Sequence, residues 1–365
     1  MKVLQVNKLY YPSLGGIEVI VQDIAEGLKS LTKMTVLACQ EKGKTEISII
    51  NDVCVYKAGS FGKFYSLPIS LSFFYFFKKL LKNQDVLHIH LPFPLVNIAL
   101  FTNKFRGRII ISWHSDIVRQ KVGAFFLRPL INNTLKRADL IVVAAKGTID
   151  GSPYLSEYRD KCIIIPYGVK LDKFQLYHNT NFPVKNCVLK FIFIGRLVYY
   201  KGCEVLLRAL ARTENASLVI IGDGYLAARL KEVTSELNIV DRVQYLGSVS
   251  EEEKHRQLQM CDVFILPSIE KSEAFGIVQI EAMAYGKPVI NTNLMSGVPD
   301  VSIHNETGLT VEPNDIDALA KAIKWFVQHP NERKTMGLNA RKRVEEYFTY
   351  EREMDGILKV YKLNP

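Results

Sequence analysis

Along the chain, short unbroken apolar runs alternate with longer stretches in which apolar positions recur every three or four residues. Unbroken runs suit strands buried on both faces, and the longer period suits crossover helices, so the pattern predicts parallel sheets in an α/β fold. In the first half the runs fall at Val3–Val6, Met34–Ala38, Val86–Ile89, Arg108–Ser112, Leu140–Ala144 and Cys162–Ile165. In the second they fall at Leu189–Ile194, Leu218–Ile221, Val243–Leu246, Val263–Leu266 and Pro288–Asn291. Each half repeats a strand–turn–helix logic, without a residue-level repeat. The period lapses after Pro166-Tyr167-Gly168, and residues 175–185, with Asn179, Thr180, Asn181 and Pro183, have linker chemistry. The expected division is a first domain at 1–174, a linker at 175–185 and a second domain at 186–346.

Composition adds a globular class. At 365 residues, with 48% apolar and 23% charged residues, the chain has the size and core for two domains. Six scattered cysteines without a C-x-x-C pair read as inert thiols in a reducing compartment. The start Met1-Lys2-Val3-Leu4-Gln5-Val6-Asn7 is too polar for a signal-peptide core, and no apolar run reaches the ~20 residues of a membrane span. The expectation is a cytoplasmic protein, at most peripheral on the inner face of the plasma membrane. The net charge of +10 is unevenly placed. Residues 1–180 carry 24 Lys and Arg against 13 Asp and Glu, +11, and the remaining 23 against 24 give −1. A basic first half suits an anionic membrane or an anionic acceptor, or is merely a solvated face. Nucleic acid is set aside, since no binding motif or basic–aromatic repeat is present. Ser70–Lys82 places five aromatic rings beside three lysines, which fits either a core helix or a membrane interface.

Candidate chemistry concentrates in the second half. Glu273-Ala274-Phe275-Gly276-Ile277-Val278-Gln279-Ile280-Glu281 follows an apolar run and opens a helix. Eight helical steps would set the two carboxylate-bearing backbones about 12 Å apart, more than the roughly 5–9.5 Å between carboxylates that flank one glycosidic bond. The pair is therefore suited to gripping opposite ends of an extended ligand, with the N–H groups of Phe275, Gly276 and Ile277 seating a diphosphate between them. A capped helix with an exposed glutamate is the plain alternative. Gly195-Arg196-Leu197-Val198-Tyr199-Tyr200-Lys201-Gly202 follows Leu189–Ile194, at the strand edge where open α/β sheets bind ligands. Arg196 and Lys201 there can neutralise a leaving diphosphate, or simply make a basic loop. Gly15-Gly16, after the first strand, permits close approach of a ligand to backbone or serves as an ordinary turn. His114, after Arg108–Ser112, can donate to a sugar or phosphate. His88 and His90 share a strand face, and without a third ligand nearby they are read as structural.

Two patterns are set aside. Gly222-Asp223-Gly224-Tyr225-Leu226-Ala227 fits a dinucleotide fingerprint but does not follow the domain's first strand. Asp315-Ile316-Asp317 offers an acidic pair for a metal, yet its position before an amphipathic helix reads as a cap.

Together, the Gly-Gly loop, Ile165-Pro166-Tyr167-Gly168-Val169, Gly195-Arg196…Lys201-Gly202 and the E-x7-E element resemble glycosyltransferase family 4. The resemblance implies a GT-B fold: two Rossmann-like, doubly wound parallel-sheet domains facing across a cleft, with 347–365 packing back on the first. It implies that Glu273 binds donor-sugar hydroxyls, Glu281 the ribose, and Arg196 with Lys201 the diphosphate. Gly16 would lend a backbone N–H, and His114 would touch the sugar. It implies retaining transfer by front-side displacement, with no metal and no other cofactor. The stretch Ser272-Glu273-Ala274-Phe275-Gly276-Ile277-Val278-Gln279 resembles that of enzymes building bacterial surface polysaccharides, including O-antigen mannosyltransferases. The expected partners are a GDP- or UDP-linked sugar, GDP-mannose first and a UDP-hexose or UDP-N-acetylhexosamine second, and a glycan or polyprenyl-diphosphate-linked acceptor. A sugar-nucleotide epimerase or hydrolase, and a non-catalytic nucleotide-sugar binder, are the rival functions on this fold.

Overall fold

A computed structural model describes residues 1–13, 15–64, 67–116, 121–174 and 188–363, so the linker expected at 175–185 lies outside the described residues. The chain forms two compact units. The first comprises residues 1–144, 148–167 and the chain from Glu351 onward; the second comprises Ala145–Gly147 and Gly168–Tyr350. The outgoing division thus falls at 167/168, ahead of the boundary expected at 174. The physical reason is local pairing: Val169 bridges to Thr349, exchanging backbone bonds with Phe348 and Tyr350, which fixes 168–174 to the second unit.

The strands of the first unit are β1 (Lys2–Val6), β2 (Lys33–Cys39), β3 (Glu46–Ile50), β4 (Val53–Ala58), β5 (Lys63–Phe64), β6 (Leu67–Pro68), β7 (Val86–Leu91), β8 (Arg108–Trp113), β9 (Leu140–Val143) and β10 (Cys162–Ile164). All but the β5–β6 hairpin join one sheet in the order β10-β9-β8-β7-β1-β2-β4-β3, with every pairing parallel except β3 on β4. Leu4, Leu37, Ile89, Ile111 and Val143 bury one face of this sheet under helices, including Ser72–Leu81 with its Phe73 and Phe77. The helix Tyr350–Lys362 joins this unit through buried Met354, Ile357, Val360 and Tyr361. The Arg108 guanidinium donates to the carbonyls of Val360 (3.2 Å) and Tyr361 (2.6 Å), satisfying acceptors left open at that helix's end.

The second unit contains β11 (Leu189–Ile194), β12 (Ala216–Ile221), β13 (Val243–Gly247), β14 (Val263–Ile265), β15 (Val289–Thr292) and β16 (Gly308–Val311). They form an all-parallel sheet in the order β13-β12-β11-β14-β15-β16. In this doubly wound arrangement the winding reverses between β11 and β14, so their carboxyl ends open onto a crevice that connecting loops cannot fill. Phe191, Phe193, Ile220, Ile265 and Ile290 lie in the core beneath it.

The unbroken-run pattern missed β3, β4, the hairpin and β16. β3 is largely exposed and pairs antiparallel at an edge, while β16 has four residues at an edge. Neither environment requires a continuous apolar run. Among the described residues, no helix is long and apolar enough to cross a membrane.

Candidate donor site

Two loops leave the second sheet at its switch point. After β11 the chain runs through Arg196 to a 3-10 turn at Tyr199–Lys201. After β14 it runs through Ser268 and Glu273 to the helix Ile277–Ala284. The loops are stitched together. Ile269 N–H donates to the Tyr200 carbonyl (2.8 Å), and the Tyr199 hydroxyl donates to Glu270 Oε2 (2.6 Å). This brings Lys201 Nζ into an ion pair with Glu273 Oε2, with the two side chains only 12% and 10% exposed. The Ser268 hydroxyl also donates to Glu273 Oε2 (3.0 Å), and Thr292 Oγ1 donates to the Ser268 carbonyl (2.6 Å), anchoring that loop on β15.

A desolvated ion pair is a weak source of stability, because the loss of hydration offsets most of the attraction. Its placement at a ligand-binding edge makes it chemically more informative than its energy. Arg196, just beyond the end of β11, is exposed and donates to the Tyr200 hydroxyl (3.2 Å).

Gly276 caps the helix in the left-handed region, at φ +74°, and a Cβ there would lie 2.5 Å from Leu266 Cδ2 and 2.8 Å from Gln279 Nε2. Both conformation and space therefore demand glycine. This also corrects the sequence geometry: the helix begins at Ile277, so the eight steps from Glu273 to Glu281 are not all helical. Gly276 and Ile277 stand at the helix's amino end, and Phe275, just before them, packs its ring against Phe348 with centroids 6.2 Å apart.

Glu273 and Glu281 do not share a partner. Glu281 Oε1 accepts from Lys254 Nζ at 2.9 Å, and its Oε2 is buried without a hydrogen bond among the described residues. Lys254, on the helix Glu251–Met260, also pairs with Glu251 at 2.7 Å. Burial acts to lower the Lys254 pKa, but attraction and hydrogen bonding from Glu281 and Glu251 outweigh it, and the net shift is upward. Lys254 therefore stays charged and fixes one carboxylate oxygen, while the other is buried with no bonded partner among the described residues. The sequence reading missed this residue, which is 27 positions from Glu281; its only local signal was a lysine in an otherwise acidic first turn.

The two discarded patterns have structural explanations. A Cβ on Gly222, at φ +126°, would run into the Gly195 carbonyl, and one on Gly224 into that of Leu197, so the glycines admit the Arg196 loop. Asp315 Oδ1 accepts from Ala318 N–H at 2.8 Å as a helix cap.

The first unit holds Gly16 and His114. Gly16 begins the helix Gly16–Gly27, and a Cβ added there would meet nothing within 4 Å, so packing within the chain does not require glycine. His114 belongs to a buried hydrogen-bonded row. Gln5 Nε2 donates to His90 Nε2 (2.8 Å), which leaves the His90 proton on Nδ1 to reach His114 Nε2 (2.9 Å). His114 Nδ1 then meets the Tyr167 hydroxyl at 2.6 Å. A direct sugar contact from His114 requires giving up one of these bonds. His88 is engaged equally, with Ser112 at 2.8 Å and Tyr361 at 2.7 Å. Burial drives His88 and His114 down to about 3, with repulsion from His114 adding to the shift at His88, and burial drives His90 well below its ordinary value. Among the described residues, no group of three His, Cys, Asp or Glu side chains is arranged to hold a metal ion.

Residues 14–173 match the family model described as Glycosyltransferase Family 4, and residues 182–343 that described as Glycosyl transferases group 1. The D-rhamnosyltransferase WbpZ of Pseudomonas aeruginosa is 33% identical, covering 96% of this chain and 92% of its own. The O-antigen chain mannosyltransferase C of Escherichia coli is 28% identical, with 99% and 98% covered. Among solved structures, sucrose-phosphate synthase from Thermosynechococcus elongatus superposes with a TM-score of 0.83 at 21% identity, covering 99% of this chain and 98% of that one. The two parallel-sheet units are those of the GT-B fold, and the chain belongs to glycosyltransferase family 4. It is a glycosyltransferase.

Proposed function

We propose that this chain moves a manno-configured hexose, with retention, from a nucleoside-diphosphate sugar to a glycan carried on polyprenyl diphosphate in O-antigen-like polysaccharide synthesis. The observation that carries the reading is the Lys201–Glu273 pair at the switch point of the second sheet. A nucleotide sugar offers each partner a better one: the diphosphate takes the ammonium, and the sugar hydroxyls take the carboxylate. Arg196 joins Lys201 on the diphosphate, where its planar fork complements a point charge. Gly276 and Ile277 supply N–H groups at the helix start, and the Glu281 carboxylate accepts from the ribose diol. Gly16 offers backbone approach to the acceptor or phosphate.

In the reaction, the acceptor hydroxyl attacks the anomeric carbon on the face the diphosphate leaves. The C–O bond to the diphosphate breaks as the new one forms, through an oxocarbenium-like state, and a leaving-group oxygen takes the hydroxyl proton. Arg196 and Lys201 stabilise the developing charge, so the scheme calls for no metal. Both named relatives support a manno configuration, since D-rhamnose is 6-deoxy-D-mannose. GDP-mannose is the donor put forward, at an anionic membrane where a lipid-linked acceptor resides.

Thermal-shift measurements with GDP, UDP, GDP-mannose, UDP-hexoses and UDP-N-acetylhexosamines test the donor. Stabilisation grows with ligand concentration over Kd, reaching about 2.7 kcal/mol at 100 times Kd, so at equal concentrations GDP-mannose should give the largest upward shift. A larger shift with a UDP-sugar overturns the base assignment. Rapid conversion of donor without acceptor points to an epimerase or hydrolase, and binding without turnover on lipid-linked glycans to a non-catalytic binder.

Lys254→Gln is expected to weaken donor binding about tenfold while leaving kcat within about twofold, because a hydrogen bond to a charged group is worth roughly 1.5–3 kcal/mol. Lys254→Arg should restore part of the affinity. Steady-state kinetics showing lost kcat with unchanged KM would assign Lys254 elsewhere.

A further inference from the structure

We infer that the first unit docks on an anionic phospholipid bilayer through a face built by Phe61, the segment Leu67–Leu71 and the exposed side of the helix Ser72–Leu81. The inference deepens the transferase reading by naming the surface that brings the enzyme to a lipid-linked acceptor, and its test does not depend on donor turnover.

The helix divides its residues sharply. Phe73, Phe77 and Leu81, four apart, are buried in the core, and Phe74 and Phe76 are half-buried against it. The opposite face begins with Leu71 and Tyr75, 71% and 62% exposed, and continues one turn on with exposed Lys78, Lys79 and Lys82. Lys79 Nζ lies 5.9 Å from the centre of the Tyr75 ring. Across the hairpin the backbones of Phe61 and Ile69 are joined at 3.0 Å, and these side chains are 74% and 49% exposed. Four large apolar side chains thus stand in solvent around one rim, beside three lysines. Isolated exposed apolar residues are ordinary, but a contiguous group with a basic flank has the chemistry of a headgroup boundary.

A cavity of about 250 Å³ opens in the same face, walled by Leu67, Pro68, Ile69, Leu71, Phe74 and Leu95. Its one polar neighbour, Ser70, donates to the Gly59 carbonyl at 2.6 Å and accepts from Phe73 N–H at 3.1 Å. The walls consequently offer nothing to water and suit an alkyl chain. Leu95 stands in the helix that follows β7, so the cavity lies at the carboxyl edge of the first sheet. Charge decides the kind of bilayer. The lysines complement an anionic leaflet, and the excess of +11 over residues 1–180 extends the attraction to longer range. Lys63 contributes least, since it pairs with Glu41 at 2.7 Å.

The full chain should sediment with vesicles of phosphatidylglycerol and phosphatidylethanolamine, and far less with pure phosphatidylcholine. Binding should fall at about 1 M salt, where screening shortens to roughly 3 Å. Leu71→Glu with Tyr75→Glu, and Lys78→Glu with Lys79→Glu, should each weaken binding by about tenfold or more. Val240→Glu, at an exposed position of the second unit, should not change it. A Tyr75→Trp variant should gain emission that shifts to the blue on these vesicles and is quenched by brominated acyl chains. All variants should keep the thermal shift with donor nucleotide, which separates failure of docking from failure of the donor site. Absence of binding to anionic vesicles, equal binding by either double variant, or no quenching of the emission added by Tyr75→Trp overturns the inference.

Discussion

Lys201→Ala is expected to lower the transfer rate by about 100–1000-fold, the cost of removing one preorganised group that meets charge developing on a leaving oxygen. It should also cost about 3 kcal/mol of stability, because Glu273 would keep a buried carboxylate with, among the described residues, only the Ser268 hydroxyl bonded to it. The two effects must be separated, since a damaged fold also loses activity. Replacing both charges, as Lys201→Met with Glu273→Leu, removes the unpaired ion, and buried pairs replaced by apolar side chains are often as stable as before. The double variant should therefore recover most of the thermal stability and none of the activity. Single-turnover assays with donor and acceptor, beside thermal unfolding of the same preparations, read both. If activity returns together with stability, the pair is structural and the donor assignment falls.

Stability should drop steeply between pH 6.5 and about 4, and the histidine row is the reason. In the folded protein His88 and His114 stay neutral down to about 3, and burial likewise holds His90 well below its ordinary value. In the unfolded chain each titrates near 6.5. Below that value the unfolded state binds protons that the folded state refuses, so unfolding becomes easier as pH falls; the stabilisation is intact above 6.5 and lost on the way to 3. Each histidine contributes a slope approaching about 1.4 kcal/mol per pH unit. Urea unfolding between pH 7.5 and 5 checks this in a range where most carboxylates remain ionised. His90→Gln, neutral in both states, should remove about one proton from the slope. An unchanged slope would mean that the row is solvated or already charged.

Both predictions rest on contacts that are distant in sequence. His88 meets Tyr361 across 273 positions, and Lys201 meets Glu273 through loops from two different strands. The sequence placed His88 and His90 on one strand face, because side chains alternate strictly along a strand. It did not show that β8 would bring His114 against His90, nor that Gln5 and Tyr167 would close the row. The aromatic segment was partly legible too. Its period identified a helix, but five rings could not be assigned to core or surface until the sheet beneath them was known. Phe73 and Phe77 point into it, and Tyr75 does not.

By itself the sequence determined the α/β class, most strand positions, the helix cap at Asp315 and the family, through residues whose spacing matches one motif. These are local properties, set by backbone period, steric preference and capping chemistry within a few residues. Only the tertiary structure decided that the second sheet reverses between β11 and β14, that Lys201 and Glu273 meet there, and that Lys254 holds one oxygen of Glu281. The reason is that strand order depends on which apolar faces pack together across the whole chain. A periodic pattern specifies that a face will be buried without specifying its partner.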